Sequence, residues 1–166
     1  LPMPGPIYDV GCGDGHFASL TFDKKLDVGL DPWRFSMREA KKYNAYKSLV
    51  EADGAYSPFP SNYFASGLSN SVLEHIPHID EVLKETARVG RIGIVSFPNF
   101  GHWPNRLRVL GGRMPVTRVL PYQWYDTPNI RVGTLADFEV LARKCGLQVT
   151  DSFGLQGGRV VRRWPN

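Results

Sequence analysis

Short apolar runs alternate with longer amphipathic ones through the first hundred residues. Ile7–Val10 is an apolar run that enters a glycine cluster, and Leu26–Leu30 is a second one that ends at Asp31-Pro32. Ser48–Glu51 and Phe64–Ser69 give third and fourth strand candidates, the fourth poor in β-branched residues. Phe35–Tyr46 has helical composition, with Met37, Ala40 and Lys41. Over 79–89 the residues Ile79, Val82, Leu83, Thr86 and Ala87 recur at spacings of three and four, which predicts an amphipathic helix. Asp80 and Glu81 in its first turn and Arg88 in its last suit the helix dipole. Ile92–Phe97 is the fifth strand candidate and stops at Pro98. Strand and helix in repeated alternation predict an α/β domain with a mainly parallel sheet.

After Phe97 the rhythm breaks. Residues 98–133 hold five prolines, four glycines and the aromatics Phe100, Trp103, Tyr122, Trp124 and Tyr125, with one short helix expected over Asn105–Leu110. A long irregular stretch rich in aromatics reads as a functional insertion rather than a disordered tail. The pattern then resumes. Thr134 with Asp137 resembles a capping box, opening a helix through Leu135, Phe138, Leu141 and Ala142 that Gly146 ends. Leu147–Phe153 and Arg159–Arg163 read as closing strands.

The chain has 166 residues, which fits one domain spanning 1–166 and suffices for a core without metals or disulfides. Hydrophobic residues make up 42% and charged residues 22%, ordinary for a globular protein. No apolar run approaches the length of a membrane helix, and no basic stretch leads an apolar one as in a signal peptide. A cytoplasmic setting is expected, with Cys12 and Cys145 as reduced thiols. The chain opens at Leu1 and reaches its first strand by Ile7, so further residues upstream are expected. Residues 1–100 carry 10 basic and 12 acidic side chains, and residues 101–166 carry 10 and 4, so the formal charge of +4 hides a basic second part. Arg106, Arg108, Arg113, Arg118, Arg159, Arg162 and Arg163 belong to that excess. A solvated basic face explains it, as does an anionic partner.

The strongest local motif is Asp9-Val10-Gly11-Cys12-Gly13-Asp14-Gly15, between a strand and a helix. Three alternate glycines allow a tight turn and a ligand against the main chain. In a dinucleotide fingerprint the third glycine would stand where His16 is, and Asp14 lies where a pyrophosphate would approach. Carboxylates repel phosphate but not a sulfonium and an ammonium, so Asp9 and Asp14 favour S-adenosylmethionine over NAD or ATP. Asp31, at the end of strand two, is suited to accept from both ribose hydroxyls. Asp53, with Gly54, follows strand three within reach of an adenine edge. A tight turn, a helix cap at Asp31 and an Asp-Gly turn at Asp53 are the purely structural explanations of the same residues.

These residues, with Leu68-Ser69-Asn70-Ser71-Val72-Leu73-Glu74-His75-Ile76, resemble class I S-adenosylmethionine-dependent methyltransferases of the type 11 kind over nearly the whole chain. The resemblance implies a Rossmann-like fold, mostly parallel with an antiparallel last strand. It implies a cofactor site of Asp9, Gly11, Cys12, Gly13, Gly15, Asp31, Asp53, Gly54, Ser69 and Asn70. Ala65 stands where many members have Asp. From Val89 onward the chain is similar to the methionine biosynthesis protein MetW family, through Arg91–Trp103, Gly111–Thr117 and Leu120–Ile130. That likeness implies a partnership with homoserine O-acyltransferase.

Methyl transfer needs alignment and exclusion of water more than acid–base groups. His75, His102, Tyr122, Tyr125 and Asp126 are the candidates should a base be needed, with His102 and Tyr125 singled out. Pro77 breaks helical spacing between Glu74-His75 and His78, which argues against a metal site there. Tyr122–Tyr125 reads either as a pocket wall or as a small satellite core. The segment 98–132 is expected at the carboxyl edge of strands four and five. Two functions stand side by side: a methyltransferase acting on a small molecule, and an S-adenosylmethionine-binding accessory protein of homoserine O-acyltransferase. Nucleic acid is not expected as a partner: where nucleic-acid enzymes carry Asn/Asp-Pro-Pro-aromatic, this chain has Asn70-Ser71-Val72-Leu73.

Overall fold

The computed structural model describes residues 3–156 and 159–162. Two compact units divide them. One runs to Leu73 and resumes over His78–Ser96; the other joins Glu74–Pro77 to the chain from Phe97 onward.

The first unit is a parallel sheet. Its strands are β1 (Ile7–Val10), β2 (Leu26–Asp31), β3 (Tyr46–Glu51), β4 (Phe64–Asn70) and β5 (Gly90–Ser96), in the order β3-β2-β1-β4-β5. Helices α1 (His16–Thr21), α2 (Arg34–Tyr43) and α3 (Ile79–Val89) make the crossovers. Pairing Asp9 with Gly29 on one side and Leu68 on the other places the ends of β1, β2 and β4 together.

Alternation along β1 splits the core between the two faces of the sheet. Tyr8 lies on the α3 face, stacked on Phe64 at 4.6 Å between ring centres, with its hydroxyl donating to the Thr86 carbonyl at 3.4 Å. Val82 and Leu83 of α3 are fully buried there. Cys12, Ala18, Met37, Tyr46 and Leu68 form the core on the other face. Each such fully buried large side chain contributes about 1.5–3 kcal/mol. The composition of β4, FASGLSN, has a packing cause: a Cβ at Gly67 would lie 2.5 Å from the Tyr8 ring, so only glycine fits. Ser66, fully buried, donates to the Pro4 carbonyl at 2.7 Å.

The helix expected to run to Tyr46 stops at Tyr43, because Asn44 takes a left-handed conformation with φ 53°. Tyr46 instead opens β3, two residues earlier than the apolar pattern suggested. The loop 57–62 is clamped to α3: Glu85 accepts from the Ser57 amide and hydroxyl, and Arg88 donates to the Phe59 carbonyl. Arg88 beside it holds the Glu85 carboxyl low, at about 2.

In the second unit, α4 spans Trp103–Leu110 and α5 spans Leu135–Lys144. Thr134 caps α5, accepting from the Asp137 amide at 3.2 Å, and Gly146 ends it with φ 81°. Antiparallel pairing occurs at the end of the chain, between β6 (Gly154–Gln156) and β7 (Arg159–Val161), as a sheet of two strands. Leu147–Phe153 was expected as a strand but is not one. Val149 is exposed and Leu147 only half-buried, so the alternation buries no continuous apolar face among the described residues. Arg163 lies outside the described residues. No described helix is long and apolar enough to cross a membrane.

Candidate functional site

The loop after β1 carries Gly11, Gly13 and Gly15 at φ 70°, 54° and 77°. Each meets different surroundings. A Cβ on Gly11 would strike Val72 at 2.6 Å, so this glycine lets the segment after β4 lie against the loop. A Cβ on Gly15 would crowd Ala40 and Tyr46 at 3.3 Å, so this one admits α2. Among the described residues, nothing beyond its chain neighbours lies within 4 Å of a Cβ built on Gly13. Its turn is held instead from beside it: the Gly13 amide donates to Asp31 Oδ2 at 3.0 Å, and the Trp33 amide donates to Asp31 Oδ1 at 2.8 Å. The amides of Gly11 and Cys12 both donate to the Leu30 carbonyl. Asp31 is buried, and each of its oxygens keeps a further lone pair for another donor.

Asp9 lies beneath this loop, 3% exposed, and accepts a 2.6 Å hydrogen bond from the Tyr46 hydroxyl. Burial pushes its carboxyl up to about 7; the Tyr46 hydroxyl opposes the rise and the Asp31 charge adds to it. Burial, and then the Asp9 charge, push the Tyr46 phenol up as well. The Cys12 thiol is raised by burial first and by Asp9 and Asp31 after it. Its sulfur packs in the core, 3.9 Å from that of Met37, which leaves only its main chain to face a ligand. Asp14 accepts from the His16 amide at 3.0 Å at the start of α1.

Asp53 turns on itself: Oδ1 accepts from the Ala55 amide at 2.8 Å, and the side chain is exposed. Gly54 fits closely, since a Cβ there would stand 2.8 Å from Val10. At the end of β4, the Ser69 hydroxyl is buried with no partner among the described residues. Asn70 Oδ1 accepts from the Ser96 hydroxyl at 2.6 Å, tying the ends of β4 and β5. The structure thus gathers Asp9, Gly11, Cys12, Gly13, Gly15, Asp31, Asp53, Gly54, Ser69 and Asn70 in one unit at one end of its sheet.

The base candidates belong to the second unit. His102 precedes α4, and its carbonyl accepts from the amides of Asn105 and Arg106. His75 Nδ1 is 3.2 Å from the Pro128 carbonyl. Asp126 accepts from the Gln123 amide at 2.7 Å. Tyr122, Trp124 and Tyr125 are 49%, 72% and 71% exposed, so this cluster does not form a buried satellite core. Trp124 and Tyr125 touch only edge to face, at 5.7 Å.

The family model for methionine biosynthesis protein MetW matches residues 2–166. The chain belongs to the MetW family. A bifunctional methionine biosynthesis protein MetXA/MetW of Rhodopirellula baltica is 28% identical over 151 residues, 82% of this chain and 24% of that protein. An uncharacterized methyltransferase of Mycobacterium leprae is 28% identical over 139 residues, 77% of this chain and 52% of that protein. The MetW chain therefore spans about a quarter and about half of these curated relatives. Among solved structures, a SAM-dependent methyltransferase of Thermotoga maritima, a possible histamine N-methyltransferase, superposes with a TM-score of 0.71 at 19% identity, covering 95% of this chain and 72% of that one. A SAM-dependent methyltransferase of Archaeoglobus fulgidus gives 0.63 at 14%, covering 90% and 63%. The fold of this MetW protein is thus the Rossmann-like class I methyltransferase fold.

Two features of the MetW cradle suit S-adenosylmethionine. The space at Gly13 lets a ligand lie on the main chain, and the Ser69 hydroxyl, without a partner among the described residues, is a buried polar atom able to take a donor or acceptor. Sequence reasoning missed Tyr46 and Ser96. Tyr46 reads as the end of a helical stretch, and nothing in the sequence joins it to Asp9, 37 positions away. The place of Ser96 at the end of a strand was its only signal.

Proposed function

We propose that this MetW chain binds S-adenosylmethionine on the Gly11–Gly15 loop and serves homoserine O-acyltransferase as an accessory protein. The geometry at Gly13 carries the binding reading: a left-handed turn, open space, and an amide fixed by a buried carboxylate. Asp31 would accept from the ribose hydroxyls, the Gly13 turn would receive the methionine portion, and Ser69 would add a polar contact. Asp53 and Gly54 border the adenine side, with Asp53 first having to open its turn onto Ala55. The bound molecule supplies a sulfonium methyl group, available for transfer or simply for recognition. The accessory role draws on the relative from Rhodopirellula baltica, which joins MetXA and MetW in one polypeptide. The exposure of Tyr122 and Tyr125 agrees with it, since these side chains suit a partner better than an enclosed base.

A methyltransferase acting on a small molecule is the second reading, favoured by the fold shared with such enzymes. Calorimetry on the purified chain should detect S-adenosylmethionine or S-adenosylhomocysteine and no NAD. Homoserine acylation by the purified acyltransferase, with and without this chain and S-adenosylmethionine, separates the roles. Stimulation without methylated product supports the accessory role; turnover of S-adenosylmethionine with a small acceptor supports the second reading.

A further inference from the structure

Helix α4 presents its polar and apolar residues the wrong way round for a helix packed on its own core. Asn105 is its buried residue, 6% exposed, with its amide donating to the Asn99 carbonyl at 3.2 Å. Trp103, Leu107 and Leu110, spaced i, i+4 and i+7 along one stripe, are 59%, 57% and 83% exposed. An apolar stripe left in water at this spacing is how helices that dock into a partner's groove are built. The charge of the chain segment that carries it has one sign. From Thr86 to Tyr125 the chain contains no Asp or Glu, while Arg106, Arg108, Arg113 and Arg118 lie in or just after α4. Arg108, Arg113 and Arg118 make no ion pair with any described residue.

We infer that the α4 stripe, with the arginines in and following that helix, is the surface by which the chain docks on the acyltransferase, in an apolar groove rimmed by carboxylates. The inference rests on the accessory reading proposed above and adds where and by what chemistry the partner is held. Charge decides among occupants. A second copy placed face to face would bring arginines against arginines, because a two-fold contact pairs the same patch with itself. An acidic rim neutralises them and steers encounter, while the leucines supply the desolvated centre.

The test is titration of purified homoserine O-acyltransferase from the same cell with three proteins: wild type, Leu107→Ser with Leu110→Ser, and Arg108→Gln with Arg113→Gln. All four positions are exposed, so the variants should keep the circular dichroism and S-adenosylmethionine affinity of wild type. Each pair should weaken the complex about tenfold or more. The wild-type complex should weaken with salt, and the arginine pair should flatten that dependence. Wild-type binding matched by both variants would overturn the α4 surface and leave the accessory reading intact. No wild-type binding at all would remove that reading and this surface together. Self-association of wild type lost in the leucine pair, or binding to anionic phosphatidylserine vesicles in place of the enzyme, would also overturn the proposal.

Discussion

At Gly13 the backbone turns with φ 54°, and among the described residues nothing beyond its chain neighbours stands within 4 Å of where a side chain would begin. Gly13→Val should therefore fold and yet lose S-adenosylmethionine, because a branched side chain strains that φ and fills the space. A folded Gly13→Val protein with normal affinity, measured by calorimetry, would refute the cradle. Asp31→Ala should weaken binding by about 1.5–3 kcal/mol, since bonds to a charged acceptor are lost and the Gly13 and Trp33 amides are released. Asp9 governs a different quantity. Its folded carboxyl titrates near 7, well above an unfolded Asp near 3.8, so the folded state keeps a proton that the unfolded chain has released. Its contribution is full below the unfolded value and is lost as pH rises through the folded one, at up to ~1.4 kcal/mol per pH unit. Urea denaturation between pH 4 and 7 should show that fall in wild type and a flatter profile in Asp9→Asn. The spacing of Gly13 and Asp31 was legible in the sequence because a loop and a strand end are local features. The Asp9–Tyr46 bond was not, because pairing across two strands leaves no local trace.

Helix α3 was read to its boundaries, Ile79–Val89, since its apolar face, acidic start and Arg88 end agree. Elements whose limits depend on neighbours were read less well. Asn44 stopped α2 three residues before the expected Tyr46, a choice of backbone conformation that composition hides. Strand β4 looked weak because its residues are small, and at Gly67 the smallness answers to Tyr8, more than fifty positions earlier. Gly67→Ala should thus destabilise by about 1–3 kcal/mol, as overpacked methyls do, and pairing it with Tyr8→Leu should restore part of the loss. Denaturant midpoints of the two single variants and the double would check this. Thr134→Ala should cost about 1 kcal/mol by removing the cap of α5.

Of the two units, one carries the Gly11–Gly15 loop at the end of its parallel sheet and the other exposes Trp103, Tyr122, Trp124 and Tyr125. Tyr125→Ala, at a position 71% exposed, should leave S-adenosylmethionine affinity unchanged while reducing association with the acyltransferase, or methyl transfer if that occurs. A variant that keeps everything would assign Tyr125 no part in either. The order of the two units along the chain has a further consequence during synthesis. All five strands of the parallel sheet precede Phe97, so a nascent chain can complete that sheet before α4 or α5 exists. Residues Glu74–Pro77 must wait: the Glu74 carbonyl takes its hydrogen bonds from the amides of Ile130 and Arg131, and the Pro77 carbonyl from the Arg131 side chain. A ribosome-stalled chain exposed only through Ser96 should resist protease across its strands and be cut at this four-residue gap, which closes when Arg131 emerges.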